Sequence, residues 1–325
     1  MTFHPPWWAR NRHLQTIWGP LLRRCPVRRR RERLETHDGD FVDLDWLQSA
    51  APAHAPILLV LHGLEGSAGS HYALGLHAAA AERGWRAVTL NFRSCSGEPN
   101  RLPRFYHSGD TADLDDVVRM ITARHPGARV GAVGVSLGGN VLLKWLGEQG
   151  EAAPAQVVGA VGISVPFDLQ ACARVLDRGL PKALYTSNFM RTLRRKVRAK
   201  AKVYPGFVDV RAALRARTFA AYDRVVTAPL HGFTDECDYW QRSSSGPFLA
   251  RIRRPVLLIN ALDDPFIPVA SLPTAAALPP GVRTEFTAHG GHAGFLEGAL
   301  PWRPRSWAEA RAVDFLGPLV TGGGR

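Results

Sequence analysis

The feature that most constrains the fold is an alternation of short apolar runs with segments of helical spacing. The apolar runs have the composition of buried strands. The strand candidates are residues 57–61, 86–92, 128–133, 157–165, 255–260 and 283–287, and the helix candidates are 71–83, 110–124, 139–146 and about 306–316. Alternation of this kind predicts an α/β fold with a mostly parallel sheet and helices on both faces.

Two regions depart from this alternation. Residues 32–47 alternate in polarity around a turn signal at 37–40, which predicts N-terminal antiparallel strands at an edge of the sheet. Residues 166–245 are basic, helical in composition, punctuated by prolines and too long for a loop. We predict that they form a helical cap inserted over one end of the sheet; the alternative is a separate accessory domain. The chain, 1–325, is then a single domain with a Trp- and Arg-rich N-terminal extension, 1–31.

Residues 134–138 read G-V-S-L-G and lie between a predicted strand and a predicted helix. A serine at such a junction occupies a sharp turn that projects its hydroxyl above the sheet, with the helix N-terminus beneath it. The flanking glycines let the backbone make that turn without a clash. We predict that Ser136 is a nucleophile, and the alternative is a plain glycine-rich turn.

A serine nucleophile needs a base that takes its proton. His292 lies in a glycine-rich segment, residues 288–295, that follows a late strand. His289 is the rival base, and either imidazole could instead be a hydrogen-bonded structural group. We prefer His292 because glycines on both sides give it the freer loop.

The base needs an acid that orients it. The segment 260–268 follows a hydrophobic strand and contains two aspartates, of which Asp264 is the predicted acid and Asp263 the first alternative. Asp168, just past the strand at 157–165, is the second alternative, although we favour a role as a helix N-cap for it. With Asp264 the chain order is Ser, Asp, His, as in the α/β-hydrolase fold.

The reaction also needs backbone N–H groups that stabilise an oxyanion. One predicted donor is the N–H of Leu137, the residue after the nucleophile. The other is the N–H of Leu64, in the flexible H-G-L-E-G loop after the first parallel strand. His62 in the same loop is predicted to be structural, with a ring that holds the loop in place.

These segments together resemble one group of the α/β-hydrolase superfamily, formed by bacterial YheT-type hydrolases, plant EMB8 proteins and the mammalian ABHD1/ABHD3 branch. The matching segments are residues 11–18 (N-R-H-L-Q-T-I-W), 62–66, 91–93, 104–109, 134–138, 263–266 and 290–295 (G-G-H-A-G-F). The N-x-H-L-Q-T element is specific to the group, whereas G-x-S-x-G is shared by the superfamily. The resemblance implies a triad of the elbow serine, an aspartate of the D-D pair and the G-G-H histidine, and it implies carboxylic-ester hydrolysis with lipid or acyl esters as substrates in some branches.

The predicted function is therefore a serine esterase that needs no metal and no cofactor. It would cleave short- to medium-chain acyl esters or lipid-like esters through an acyl-enzyme. The alternatives are thioester cleavage or acyl transfer by the same triad, and a non-catalytic binding protein on a hydrolase scaffold. Serine at the elbow excludes the relatives that use an aspartate nucleophile.

The net charge of +13 is carried mostly by arginine, with clusters at residues 28–31 and 191–202. We interpret it as a bias spread over the surface, because no nucleic-acid-binding motif accompanies either cluster. Trp7, Trp8 and Trp18 lie just upstream of the first cluster and suggest peripheral contact with a membrane.

No apolar run is long enough to span a bilayer, and the N-terminus lacks the apolar stretch of a signal peptide. The four cysteines are scattered without metal-ligand spacing and are interpreted as reduced thiols. We expect a cytoplasmic protein that contacts the inner face of the membrane at most peripherally.

Overall fold

The computed structural model describes residues 3–322 and contains an eight-stranded sheet with helices on both faces. The strands are β1 (Arg29–Glu35), β2 (Phe41–Leu47), β3 (Ile57–Leu61), β4 (Arg86–Asn91), β5 (Val130–Val135), β6 (Val157–Ile163), β7 (Val256–Ala261) and β8 (Val282–Thr287), with a short separate pair β9 (Leu296–Glu297) and β10 (Arg305–Ser306). Their order in the sheet is β1-β2-β4-β3-β5-β6-β7-β8. Strands β3 to β8 are parallel, while β1 and β2 are antiparallel. The predicted mostly parallel sheet with N-terminal antiparallel strands is confirmed.

The helices alternate with the strands except in one long insertion. They are α1 (Arg12–Leu22), α2 (His71–Glu82), α3 (Ala112–Arg124), α4 (Leu137–Gln149), α5 (Leu169–Leu176), α6 (Gly179–Pro181), α7 (Ser187–Val203), α8 (Val210–Arg215), α9 (Phe219–Tyr222), α10 (Ala228–Leu230), α11 (Glu236–Ser243) and α12 (Trp307–Thr321). Wider helical turns at Lys182–Thr186 and Asp223–Thr227 join α6 to α7 and α9 to α10. None of the helices within residues 3–322 is long and apolar enough to cross a bilayer.

Strand β3 shows why the sheet carries helices on both faces. Ile57, Leu59 and Leu61 belong to the hydrophobic core that contains residues of α3 and α4. Leu58 and Val60 belong to the opposite core, which contains residues of α2 and α12. Successive side chains of a strand point to opposite faces, so a strand covered on both sides is an unbroken apolar run in the sequence.

The chain between β6 and β7 forms helices α5 to α11, within residues 166–245, where the cap was predicted. Its apolar side chains form a third hydrophobic core. That core also takes in Phe105, Phe266 and Ile267, which lie in loops of the sheet. The helical insertion therefore packs directly on the loops at one end of the sheet.

The N-terminal segment is packed against the rest of the protein. Phe3 and Ala9 are buried, and Arg23 after α1 forms a buried ion pair with Glu309 of α12. Strand β1 begins at Arg29, three residues before the predicted hairpin. The basic run at residues 28–31 is therefore partly strand. Two of its four arginines, Arg29 and Arg31, form ion pairs with Asp45 of β2.

Candidate active site

Ser136 stands at the junction of β5 and α4 in a strained backbone conformation. Its φ is 53° and its ψ is −121°, a region that non-glycine residues rarely adopt and that costs about 1–3 kcal/mol. Its N–H donates to the carbonyl of Ile163 at 2.8 Å, and its carbonyl accepts from the N–H of Asn140 at 3.0 Å. The adjacent strand and the first turn of α4 therefore hold the serine in this conformation.

Gly134 and Gly138 are needed because backbone atoms approach them too closely for any side chain. A Cβ at Gly134 would lie 2.5 Å from the carbonyl oxygen of Gly138. A Cβ at Gly138 would lie 2.5 Å from the carbonyl oxygen of Leu61. The turn thus excludes side chains at both flanking positions, which is the physical reason for the G-x-S-x-G pattern.

His292 lies between the serine and one aspartate. Its Nε2 is 2.8 Å from the Oγ of Ser136, and its Nδ1 is 2.9 Å from Oδ2 of Asp264. The Asp264 side chain is completely buried, and its Oδ1 accepts the N–H of Phe266 at 2.8 Å. Burial raises the pKa of Asp264, and the neighbouring His292 and backbone N–H groups oppose that rise. The geometry lets Ser136 donate to Nε2 while Nδ1 donates to Asp264.

The two rival residues pair with each other instead. His289 Nδ1 lies 3.3 Å from Oδ2 of Asp263, and the His289 side chain is 55% exposed. The other oxygen of Asp263 accepts the N–H of Gly291 at 3.0 Å. Asp263 therefore holds the loop that carries His292. The third candidate acid, Asp168, caps α5 by accepting the N–H of Ala171 at 2.9 Å.

Helix α1 also holds the histidine loop, and the sequence reasoning missed this role. The N–H of His292 donates to Oγ1 of Thr16 at 3.0 Å. Gln15 is fully buried; its side-chain oxygen accepts the N–H of Leu296 at 2.6 Å. A Cβ at Gly294 would lie 2.3 Å from the carbonyl oxygen of Gln15, so the loop and α1 are in direct contact. The H-L-Q-T run at residues 13–16 was the signal in the sequence for this role, but its polar side chains are equally typical of a solvent-exposed helix face.

The imidazole of His292 is also positioned by an aromatic ring. Phe266 stacks on it with the ring centroids 4.0 Å apart and an angle of 21° between the planes. Phe266 belongs to the same turn as Asp264, so one segment both orients and covers the base. The sequence reasoning assigned no role to this residue.

The loop after β3 leaves one backbone donor free beside Ser136. The N–H of Gly63 donates to the hydroxyl of Tyr72 at 2.9 Å, and that of Glu65 donates to the hydroxyl of Tyr106 at 2.7 Å. A Cβ at Gly63 would lie 3.3 Å from the Cβ of Ser136, so this loop passes next to the serine. Within residues 3–322 we find no partner for the N–H of Leu64.

Leu137 supplies the second candidate donor, because it is the first residue of α4 and its N–H has no partner within the helix. In the described part of the chain this N–H also makes no hydrogen bond to another element. Leu64 and Leu137 both line the cavity that contains Ser136. Their free N–H groups are therefore available to an oxyanion in that cavity.

His62 anchors the same loop, as predicted. It is fully buried; its Nε2 accepts the N–H of Phe92 at 3.1 Å, and its Nδ1 donates to the carbonyl of Gly63 at 2.8 Å. Burial lowers the pKa of His62 to about 4, which keeps it neutral at pH 7. A neutral ring can donate and accept at once, as these two bonds require.

A cavity of about 610 Å³ opens on Ser136 and His292. It lies between the sheet loops, α1 and the helical insertion, and most of its wall is apolar. Representative wall residues are Ile17, Phe105, Leu169, Leu176, Phe189 and Phe219. Buried polar groups interrupt this wall: burial raises the pKa of Asp223 to about 7 and lowers that of His107 to about 3. These wall residues come from widely separated segments, so the sequence alone could not assemble them.

The chain is similar to known proteins over most of its length. A family model described as the alpha/beta hydrolase fold matches residues 56–299. The chain is 42% identical to "Putative esterase YheT" of Escherichia coli (strain K12) over 310 residues, which cover 94% of this chain and 90% of the relative. It is 33% identical to the phospholipase ABHD3 of Mus musculus over 92% of this chain and 74% of that protein.

The solved structure of the Pyrococcus furiosus esterase Pf2001 superposes with a TM-score of 0.58 over 90% of this chain and 94% of that one. At 15% identity this likeness concerns the fold alone. The family model and the two relatives, at 42% and 33% identity over more than 90% of this chain, show the family to which it belongs. The chain belongs to the α/β-hydrolase family, in the group that contains the YheT and ABHD3 proteins.

Proposed function

We propose that this protein is a serine esterase that cleaves carboxylic esters with a medium-length acyl chain or a lipid-like alcohol. The observation that carries the proposal is the line of contacts from Ser136 through His292 to the buried Asp264. The base lies within hydrogen-bond distance of both the nucleophile and the orienting acid, and the nucleophile stands on a strained turn beside an apolar cavity.

In the proposed reaction Ser136 Oγ attacks the ester carbonyl while its proton passes to Nε2 of His292. The Leu64 and Leu137 N–H groups stabilise the negative charge on the tetrahedral intermediate. The imidazolium returns the proton to the leaving alcohol, and an acyl-enzyme remains. Water then attacks this ester with His292 again as the base, which releases the acid and restores the serine.

The cavity supports an acyl chain rather than a charged group as the part of the substrate that is enclosed. Its volume of about 610 Å³ lies within the range of sites for small organic ligands. Its aromatic and aliphatic wall, contributed largely by the helical insertion, would desolvate hydrocarbon at little polar cost. We therefore expect turnover to rise from acetate towards a medium chain and to fall once the cavity is filled.

The direct test is labelling with a fluorophosphonate, followed by hydrolysis of p-nitrophenyl esters from acetate to palmitate. Wild type should be labelled and active, whereas Ser136→Ala should lose the label and about a million-fold in kcat. Ser187→Ala is the matched control, because Ser187 is exposed and outside the cavity. Absence of labelling in folded wild type, or labelling that survives in Ser136→Ala, would contradict the proposal.

A further inference from the structure

Two segments that are distant in sequence form part of the mouth of the cavity. Leu21 at the end of α1 and Leu184 before α7 both line the cavity, yet they are 61% and 43% exposed. The segments meet where His13 Nδ1 lies 2.8 Å from the hydroxyl of Tyr185. The mouth therefore presents leucine side chains to solvent from two elements that touch each other.

Two further exposed leucines lie in the same two segments but do not line the cavity. Leu22 follows Leu21 and is 51% exposed, and Leu180 precedes Leu184 by one helical turn and is 55% exposed. We name these four exposed leucines the leucine rim. Exposed apolar side chains grouped at the entrance of a cavity mark a surface that contacts a partner protein, a ligand or a membrane.

The charge of the same two segments indicates which of these it is. Residues 1–31 contain eight arginines and lysines, residues 178–208 contain nine, and neither stretch contains an aspartate or glutamate. Several of these cations are already paired or buried: Arg23 pairs with Glu309, and Arg29 and Arg31 pair with Asp45. Lys196 pairs with Glu65, and Lys200 is buried. The exposed Arg12, Arg24 and Arg178 belong to the segments that carry the leucines. Leucines framed by unopposed cations fit a lipid surface with anionic head groups.

We propose that the leucine rim docks the protein on an anionic bilayer and that the ester substrate enters the cavity from that bilayer. The inference rests on the proposed esterase function and adds the source of the substrate. The leucines enter the head-group region while the cations beside them contact lipid phosphates. The mouth then opens on the bilayer, so an acyl chain can reach Ser136 without crossing water.

The test is co-sedimentation of the intact protein with vesicles of phosphatidylcholine alone or mixed with phosphatidylglycerol. Wild type should bind the mixed vesicles, with binding that weakens as salt is raised. The double variant Leu22→Glu/Leu180→Glu should bind at least about tenfold more weakly, because two charges replace apolar contacts. Neither residue lines the cavity, so hydrolysis of p-nitrophenyl butyrate and the thermal midpoint should stay near wild type.

Val203→Glu is the matched control: Val203 lies in the same basic stretch, is 68% exposed and is outside the cavity. This variant should bind vesicles as wild type does. No vesicle binding by a protein that hydrolyses p-nitrophenyl butyrate would overturn the docking proposal alone. So would equal losses in the rim variant and the control, or retention on DNA without binding to vesicles. Vesicle binding without any ester hydrolysis would instead overturn the esterase function.

Discussion

Two Asp–His pairs lie side by side in this protein. Their aspartates are adjacent in the sequence, and their histidines are three positions apart. Asp264 and His292 are buried and continue to Ser136. Asp263 is partly buried and His289 is exposed; they lie 3.3 Å apart, and within residues 3–322 neither side chain hydrogen-bonds to a nucleophile. Burial and the third partner therefore distinguish a pair suited to proton transfer from a pair that secures a loop.

The difference arises from the direction of the two turns. The backbone after β7 directs Asp264 inward and lets Asp263 hold the N–H of Gly291. The glycines of the second turn allow the loop to pass close to α1, which brings the ring of His292 over the serine. Adjacent aspartates can thus share one task, because one orients the imidazole and the other orients the loop that carries it.

The largest expected effect is from His292→Ala. Removal of the base should lower kcat for p-nitrophenyl butyrate by about 10⁶-fold, because the serine then has no group that accepts its proton. The comparison variant is His289→Ala. Similar losses in both would show that the assignment of the buried pair is wrong.

Asp264→Asn should have the second largest effect, a loss of about 10⁴-fold in kcat. The amide can donate to Nδ1, which leaves the proton on Nε2 and prevents that atom from accepting the proton of Ser136. KM should change little, and Asp263→Asn should remain far more active. Steady-state kinetics of the two variants, with thermal unfolding as a fold control, test which carboxylate is the triad acid.

Thr16→Val removes the oxygen that accepts the N–H of His292 and should lower kcat by about 10- to 100-fold. Thr16 is a positioning residue, so Thr16→Ser should restore most of the rate. A rise in KM with unchanged kcat would show instead that Thr16 acts through contact with substrate. The pH–rate profiles of the three proteins would show whether the base itself is disturbed.

Asp263→Ala should lower kcat by about fivefold, the amount that one lost hydrogen bond of about 1 kcal/mol represents. The loop loses its bond from Gly291 but keeps its contacts with α1. A loss comparable to that of Asp264→Asn would remove the distinction between the two pairs.

His289→Gln is expected to be the mildest change, within about twofold in kcat and 0.5 kcal/mol in stability. Its imidazole is mostly exposed, and its one polar contact within the described residues is with Asp263 at 3.3 Å. Thermal unfolding and butyrate kinetics provide both readouts. A large loss would give this surface pair a role that its geometry does not suggest.

The sequence carries information about this site wherever the backbone itself imposes a residue type. Glycine is required at positions 134 and 138 because a Cβ there would clash with backbone atoms. The nucleophile turn can therefore be recognised from the local sequence. The sheet is also recognisable, because β3, β5 and β6 are buried on both sides and appear as unbroken apolar runs. The sequence reasoning preferred Asp264 and His292 on loop position, and these are the residues that the structure brings to Ser136.

Other features depend on partners far along the chain and could not be predicted. Residues 191–202 were interpreted as part of a basic surface, yet Lys196 Nζ lies 2.6 Å from Oε1 of Glu65 in the loop after β3. Lys200 is buried against the carbonyl groups of Asn100 and Leu102, and burial lowers its pKa to about 8. A side chain's charge shows that it needs a partner or water, but only the tertiary fold shows which of these it finds.

The contact between Gln15 and Leu296 joins residues 281 positions apart. At a synthesis rate of about 5–20 residues per second, α1 leaves the ribosome roughly 15–60 seconds before the loop that it supports. During that interval the Ser136 turn can form while the loop of His292 does not yet exist. On the proposed mechanism, the nascent chain has no base for Ser136 until residue 292 has been made, so the order of translation alone would delay ester hydrolysis until the loop of His292 can fold.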